Sequence, residues 1–445
     1  MHDHLSWISG HRVLARGGAG FDPASLPGLA ARYDLSDPAN LFQDGAGTIP
    51  AATGQPVGRV SDLSGNGHHL TQAASASRPT IRTVAGRRSV YGSGTQWLDV
   101  PASLSLDRRN STLFVVHRVR SPVTTALWHM PAGFPNYRIT LDQTDGGELQ
   151  FFHGGLLSSG IARSHGIAAA AAVGRSGEIK LFLGRESRGG LAAAEAGSSA
   201  GGYLGNSAGN FQIVGHLYAA LAYGRALGDE EIARVLAWLT AKYGAVGPEE
   251  PSFILFEGDS ITQGVGGAPE EDYSAPAQFA ARCARQPKWM NLGTGGDTIQ
   301  NMAANTAATI AHLAKNAAYP NRIARLLIGH NDLNQERTAA QVKADIDAWI
   351  AAVRAGHAGV ILAGCTILPS GLLTGAKEAA RIEVNAHIRN VADFDFASDL
   401  AADPRFADPG DAAIYGDGIH PTNAGYAIVA ELEHAAFAAR GYVAA

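Results

Sequence analysis

Two cysteines in 445 residues, Cys283 and Cys365, are too few for a disulfide framework. Each lies in an apolar stretch, "AARCAR" and "ILAGCTIL", where a buried free thiol is the expected state. No C-x-x-C pair occurs, which removes the usual spacing of a structural zinc site, and neither a metal nor another cofactor is expected. Basic residues are not in excess: 35 Lys and Arg stand against 40 Asp and Glu, a formal net charge of -5. With no basic stripe to neutralise phosphates, nucleic acid is not expected as a partner. Apolar runs of about 18 residues are missing, so no membrane insertion is expected. The opening "MHDHLSWISGHRVLARGG" lacks the apolar core of a secretory signal, and export by the general route is not encoded in it.

What is abundant is glycine, 54 residues, which suits a turn-rich β module somewhere in the chain. The length itself predicts two or three domains. Up to about residue 220 the chain has short β-type runs separated by Gly, Ser and Asn, among them "STLFVVHRV" (111–119), "EIKLFLG" (178–184) and "FQIVGHLYAALAY" (211–223). That rhythm predicts an all-β sandwich over 26–245, after an N-terminal extension of residues 1–25. "LGDEEIARVLAWLTAKYG" (227–244) switches to a helical period, with Asp229 as cap, Ile232, Val235, Leu236 and Leu239 as the apolar face, and Gly244 as the stop. "AVGPEEPS" (245–252) reads as a linker. From 253 to 445, buried strands such as "FILFE", "IARLLIG" and "GVILAGCTIL" alternate with helical segments. Alternation with short connections predicts an α/β/α domain with a parallel sheet covered on both faces.

In such sheets the functional crevice lies beyond the carboxyl ends of the strands. "FEGDSITQG" (256–264) ends the first of these strands on Gly258-Asp259-Ser260. A serine on a glycine-flanked turn is either punctuation or a nucleophile, and a nucleophile needs a base, an orienting acid and an oxyanion hole. "YGDGIHPTNAGY" (415–426) offers Asp417 and His420 on one turn, with Pro421 holding His420 extended. In "LLIGHNDLN" (326–334) Asn331 either caps the next helix or donates its amide to a developing oxyanion. "NLGTGGDTIQ" (291–300) places Gly296 where backbone could approach a ligand and donate its N–H; no Walker lysine accompanies it. Asp259 and His330, beside Ser260 and Asn331, are candidates for the pocket wall.

These four blocks, "GDSIT", "GGDT", "GHND" and "DGIH", resemble those of the SGNH/GDSL hydrolases, in family order over 253–426. The resemblance implies a serine esterase with Ser260 as nucleophile, His420 as general base and Asp417 as orienting acid. Its oxyanion donors would be the backbone N–H groups of Ser260 and Gly296 and the side chain of Asn331. Lipases, thioesterases and lysophospholipases share the family.

The first half resembles concanavalin A-like, laminin-G-type jelly rolls, in the "DLSGNGHH" turn (62–69), "RPT" (78–80) and the helix at 227–244. Such modules recur in phage tail proteins and carbohydrate-active enzymes. The resemblance implies an acylated carbohydrate or small acyl ester as substrate, and admits a homo-oligomer or attachment to a larger assembly. With neither a secretory signal nor a spanning segment read in the sequence, a cytoplasmic or phage-associated location is expected, and an adhesive tail protein is the rival from another class. Trp97, Trp128, Phe134 and Tyr137 could stack on sugars or fill the core. "GSSAG" (197–201) and "GNSAG" (205–209) match a nucleophile elbow but lack its strand–turn–helix setting. His2, His4, His68 and His69 have no carboxylate pattern around them and read as exposed polar residues.

Overall fold

The computed structural model describes residues 20–84, 86–119, 125–130, 137–142, 148–152, 156–162, 164–176, 178–184, 186–191, 197–205, 213–247 and 250–444. The chain divides into two compact units, Met1–Glu249 and Glu250–Ala445. His2, His4, Phe134 and Ser207 lie outside the described residues, as does the side chain of Tyr137.

The first unit is built from two antiparallel sheets, of eight and nine strands. Their facing sides bury Leu113, Val115, Ala170 and Leu181 against Leu98, Val100, Leu127 and Trp128. Trp128 is fully buried there, so its ring fills the core and cannot stack on a sugar. Trp97 is half-buried, and its indole N–H donates to Asp99 Oδ1 at 2.9 Å. The strand Ser111–Val119 is buried throughout because its other face is also covered. Phe114 and Val116 meet Ile232, Val235, Leu236 and Leu239 of the helix Asp229–Tyr243. Each fully buried Leu or Ile contributes roughly 1.5–3 kcal/mol relative to exposure. Gly244 closes that helix at φ +64°, but its N-cap is Gly228 and not Asp229. Asp229 is drawn away by Arg175 at 2.6 Å and Lys180 at 2.5 Å.

The "DLSGNGHH" turn is a clamp on the strand Leu29–Asp34. Asp62 accepts from the N–H groups of Arg32, Ser64 and His68, and Asn66 Nδ2 donates to the Leu29 and Ala30 carbonyls. His68 and His69 are half-buried and hydrogen-bonded to Ser103 Oγ and the Asp62 N–H, which corrects the expectation of exposed polar side chains. Residues before Leu26 already pack on this unit, since Tyr223 donates to the Pro23 carbonyl at 3.0 Å. Val246, in the expected linker, donates its N–H to Ile167 at 2.8 Å.

The second unit is a five-stranded parallel sheet. Its strands are β1 (Ser252–Gly258), β2 (Lys288–Asn291), β3 (Asn321–Leu327), β4 (Ile361–Cys365) and β5 (Phe396–Ser398), in spatial order β2-β1-β3-β4-β5. Helices α1 (Ser260–Gln263), α2 (Ala275–Arg282), α3 (Ile299–Ala304), α4 (Thr306–Lys315), α5 (His330–Asn334), α6 (Ala339–Gly356), α7 (Ala376–Asn390) and α8 (Asn423–Ala438) surround it. Along β1, Phe253 and Leu255 face Ile346, Trp349 and Val353 of α6, while Ile254 and Phe256 face Phe279 of α2 and Phe437 of α8. Strand alternation thus feeds two cores, one per face. The strand order reverses at β1, so ligands are expected beyond its carboxyl end. Ser260, Gly296 and Asn331 follow β1, β2 and β3. Both thiols are buried, and burial pushes Cys283 up to about 12.

Candidate active site

β1 ends at Gly258, at φ +153°. A Cβ there would stand 2.3 Å from the Leu327 carbonyl and 2.3 Å from Thr262 Oγ1, so only glycine lets the strand turn beside β3. Asp259 then caps α1, accepting from the Ile261 N–H at 3.0 Å. Burial pushes the Asp259 carboxyl up to about 6, against the pull of that N–H and of the Arg325 charge. Ser260 is the first residue of α1 and half-buried. Among the described residues its N–H has no protein acceptor.

Asp417 and His420 sit on a turn closed by an antiparallel bridge between Tyr415 and Pro421. The Gly416 N–H donates to the His420 carbonyl at 2.9 Å, and Thr422 to Ile414 at 2.8 Å. Inside the turn, Asp417 Oδ1 accepts from the N–H groups of Ile419 and His420, at 3.0 and 2.7 Å. Its Oδ2 lies 2.7 Å from His420 Nδ1. The opposite ring nitrogen, Nε2, lies 2.9 Å from Ser260 Oγ. Partial burial, which would raise the Asp417 pKa, is outweighed by the His420 and Ile419 hydrogen bonds, which hold it below the usual carboxylate range. An ionised Asp417 accepts a hydrogen bond from the Nδ1–H of the ring, which keeps the proton on Nδ1 and leaves Nε2 free to accept from the serine hydroxyl. With the Asp417 side chain 54% exposed, this pair orients the ring more than it stabilises the fold.

The loop after β2 approaches the same point. A Cβ on Gly295 would come within 3.9 Å of Ser260 Cβ. Gly296 lies at φ +86° facing open space, and its N–H has no acceptor among the described residues. The loop is held from both sides. Thr294 N–H donates to the Gly258 carbonyl at 3.0 Å, and Gly295 N–H to Gln263 Oε1 at 2.8 Å. Asn331 Nδ2 donates to the Asp297 carbonyl at 2.8 Å. Asn331 is not a helix cap, because Gly329 is the N-cap of α5 and Asn331 is its second residue. One amide hydrogen therefore ties the loop and the other is uncommitted among the described residues.

Asp259 and His330, picked out beside the blocks, are only 2% and 5% exposed. His330 Nε2 lies 2.9 Å from Ser370 Oγ, and burial holds the ring's pKa low against a hydrogen bond with the Asn331 side chain. Both side chains are held inside the domain and not on its surface. Sequence reasoning missed Gln263, Ser370 and Asp332. Asp332 accepts from the Ile299 N–H at 3.0 Å and pairs with Arg337 at 2.7 Å, fixing α3 to α5. Its place after Asn331 was the available signal; Ser370 is 40 residues from His330 and carries none. Ser199, from the "GSSAG" match, is buried within the strand Ser198–Leu204 and cannot be reached by a substrate. No group of three or more His, Cys, Asp or Glu suited to a metal occurs among the described residues. None of the described helices is long and apolar enough to cross a membrane.

Residues 256–428 match the sequence model of the GDSL-like lipase/acylhydrolase family. This part of the chain is a GDSL-like lipase/acylhydrolase domain. Solved structures similar to the chain include a lipolytic protein of the G-D-S-L family from Veillonella parvula, at 21% identity and TM-score 0.35, covering 42% of this chain and 98% of that one. The lipase/acylhydrolase from Enterococcus faecalis is similar at 17% identity and TM-score 0.33, covering 42% and 96%. Domain 4 of AbnA, a GH43 extracellular arabinanase from Geobacillus stearothermophilus solved with arabinotriose, is similar at 15% identity and TM-score 0.36, covering 47% and 98%. No curated protein matches. The family match supports a hydrolase of the esterase or lipase type for residues 256–428.

Proposed function

We propose that the GDSL-like domain is a serine esterase whose nucleophile is Ser260, general base His420 and orienting acid Asp417. The observation that carries it is the continuous run of contacts Ser260 Oγ–His420 Nε2 at 2.9 Å and His420 Nδ1–Asp417 Oδ2 at 2.7 Å. Ser260 Oγ attacks the ester carbonyl carbon and passes its proton to His420 Nε2. The resulting oxyanion is met by the N–H groups of Ser260 and Gly296 and by Asn331 Nδ2. Collapse breaks the C–O bond, and the leaving alcohol takes the proton from His420. Water then attacks the acyl-serine and gives a proton to His420; collapse breaks the bond to Oγ, which takes that proton back from Nε2, releasing the acid and regenerating Ser260.

The substrate we propose is a short acyl ester, O-acetyl on a carbohydrate. The attached two-sheet unit supports this, because a second module on the chain can raise the local concentration of a polymeric substrate at the site. A panel of p-nitrophenyl esters from acetyl to long acyl, beside an acetylated polysaccharide, tests it. Turnover should be greatest on acetyl. A preference for long acyl chains would move the enzyme to the lipases and thioesterases.

A further inference from the structure

Beneath the site lies a charged group that the proposed chemistry does not use. Arg325 of β3 is fully buried, and so is Glu433 of α8. Arg325 Nε donates to Glu433 Oε1 at 2.6 Å, and Nη2 donates to the same oxygen. Cys365 Sγ reaches that oxygen as well, at 3.2 Å, while Glu433 Oε2 has no hydrogen-bond partner among the described residues. The remaining arm, Nη1, donates to Thr262 Oγ1 at 2.7 Å. A buried pair with an unsatisfied carboxylate oxygen is a poor stabiliser, because desolvation offsets most of the attraction. Its directional bonds fix geometry instead.

The two ends of the bridge matter. Thr262 is the third residue of α1, which begins at Ser260, and it is itself buried. Glu433 lies on α8, whose N-cap Thr422 comes two residues after His420. Arg325 thus grips the helix that presents the serine and the helix that follows the histidine turn. Asp259, the cap of α1, also feels its charge. We infer that Arg325, through Thr262 and Glu433, is a positioning residue that sets the Ser260–His420 distance. The inference rests on the proposed roles of Ser260 and His420. Its chemistry is that of preorganisation: an error of about 1 Å between nucleophile and base can cost on the order of 10²-fold in rate.

The test uses the full chain and two routes that remove the bridge differently. Arg325→Met combined with Glu433→Leu replaces the pair by apolar groups of similar volume, a change that often leaves stability intact. Thr262→Val removes only the hydroxyl, and Thr262→Ser restores it. Each is measured for kcat and KM on p-nitrophenyl acetate, for the rate of labelling by a serine-reactive phosphonate, and for Tm. The expected result is a tenfold or greater fall in kcat and in labelling rate for the double variant and for Thr262→Val, with KM little changed and Thr262→Ser near the parent. If folded variants keep the parental kcat and labelling rate and only Tm falls, the bridge is structural and the inference is overturned. Should the double variant not fold, the Val and Ser pair decides alone. Ser260→Ala, run alongside, separates the two failures: activity surviving in it overturns the nucleophile assignment, whereas Ser260-dependent activity with unaffected bridge variants overturns only the bridge.

Discussion

Asn331 Nδ2 donates to the carbonyl of Asp297 at 2.8 Å, and so ties α5, which follows β3, to the loop that carries Gly296. The same amide keeps a second hydrogen with no acceptor among the described residues. Groups that are hydrogen-bonded before substrate arrives need no reorganisation when charge develops, which is the basis of electrostatic preorganisation. The relation therefore bears on rate rather than on affinity.

Asn331→Ala is expected to lower kcat by roughly 10² to 10³-fold with little change in KM, because a bond to the oxyanion strengthens only in the transition state. Steady-state kinetics on p-nitrophenyl acetate measures this. A variant that loses thermal stability but keeps turnover would reduce Asn331 to its tie to Asp297.

Ser260→Ala should reduce esterase turnover by on the order of 10³-fold or more. A phosphonate probe should label the peptide containing Ser260, as read by mass spectrometry. Label on the peptide of Ser199 or Ser207 would contradict the assignment.

Two buried carboxyls give stability a defined pH dependence. Asp259 is pushed up to about 6 and Glu257 up to about 7, both chiefly by burial. In each the folded state holds the proton more tightly than the unfolded chain. The resulting stabilisation is complete below the unfolded values near 4 and is lost as pH rises through about 6 and about 7. The expected loss for Asp259 is on the order of 2–3 kcal/mol. Asp259→Asn keeps the acceptor for the Ile261 N–H and removes the ionisation, so its Tm should fall less than the parent's between pH 4 and pH 7. Glu257→Gln should do the same over the higher part of that window, with Thr309 Oγ1, at 2.6 Å in the parent, still within reach of an acceptor. Parallel Tm-versus-pH curves for parent and variants would refute the burial argument.

A chain starting at Gly247 should fold and cleave p-nitrophenyl acetate with a kcat close to that of the full chain, because every proposed catalytic residue lies in the unit Glu250–Ala445. Turnover on an acetylated polysaccharide should drop further, as tethering is lost. Equal activity on both substrates would deprive the two-sheet unit of a role in substrate targeting. A fall on the small ester would assign it a part in the site itself.

The two-half organisation was legible because local rhythm carries it: alternation every two residues before 220, and strands followed by helical periods after 253. The four blocks were legible because serine, glycine and asparagine follow strand ends, and histidine stands on a tight turn before the last helix, where backbone geometry limits the choice of residue. Gly258 illustrates this, since its turn leaves no space for a side chain. Asp417 and His420 could be paired from sequence alone because three residues of one turn separate them. Local mistakes had a tertiary cause. Asp229 has the composition of a cap, but Arg175 and Lys180, from strands about 50 residues earlier, outcompete the helix end for its carboxylate. Asn331 was left with two readings because either needs only one residue; the fold removes the cap by making Gly329 the N-cap of α5, and adds a tie to Asp297 that neither reading contained. Arg325, Thr262 and Glu433 carry no local signal whatever; they are 63 and 108 residues apart along the chain. Short-range periodicity and turn chemistry were enough to say what each strand end offers. Only the closing of β1, β3 and α8 on one another brought a serine and a histidine 160 residues apart to 2.9 Å, because contact at that separation depends on packing and not on any local preference.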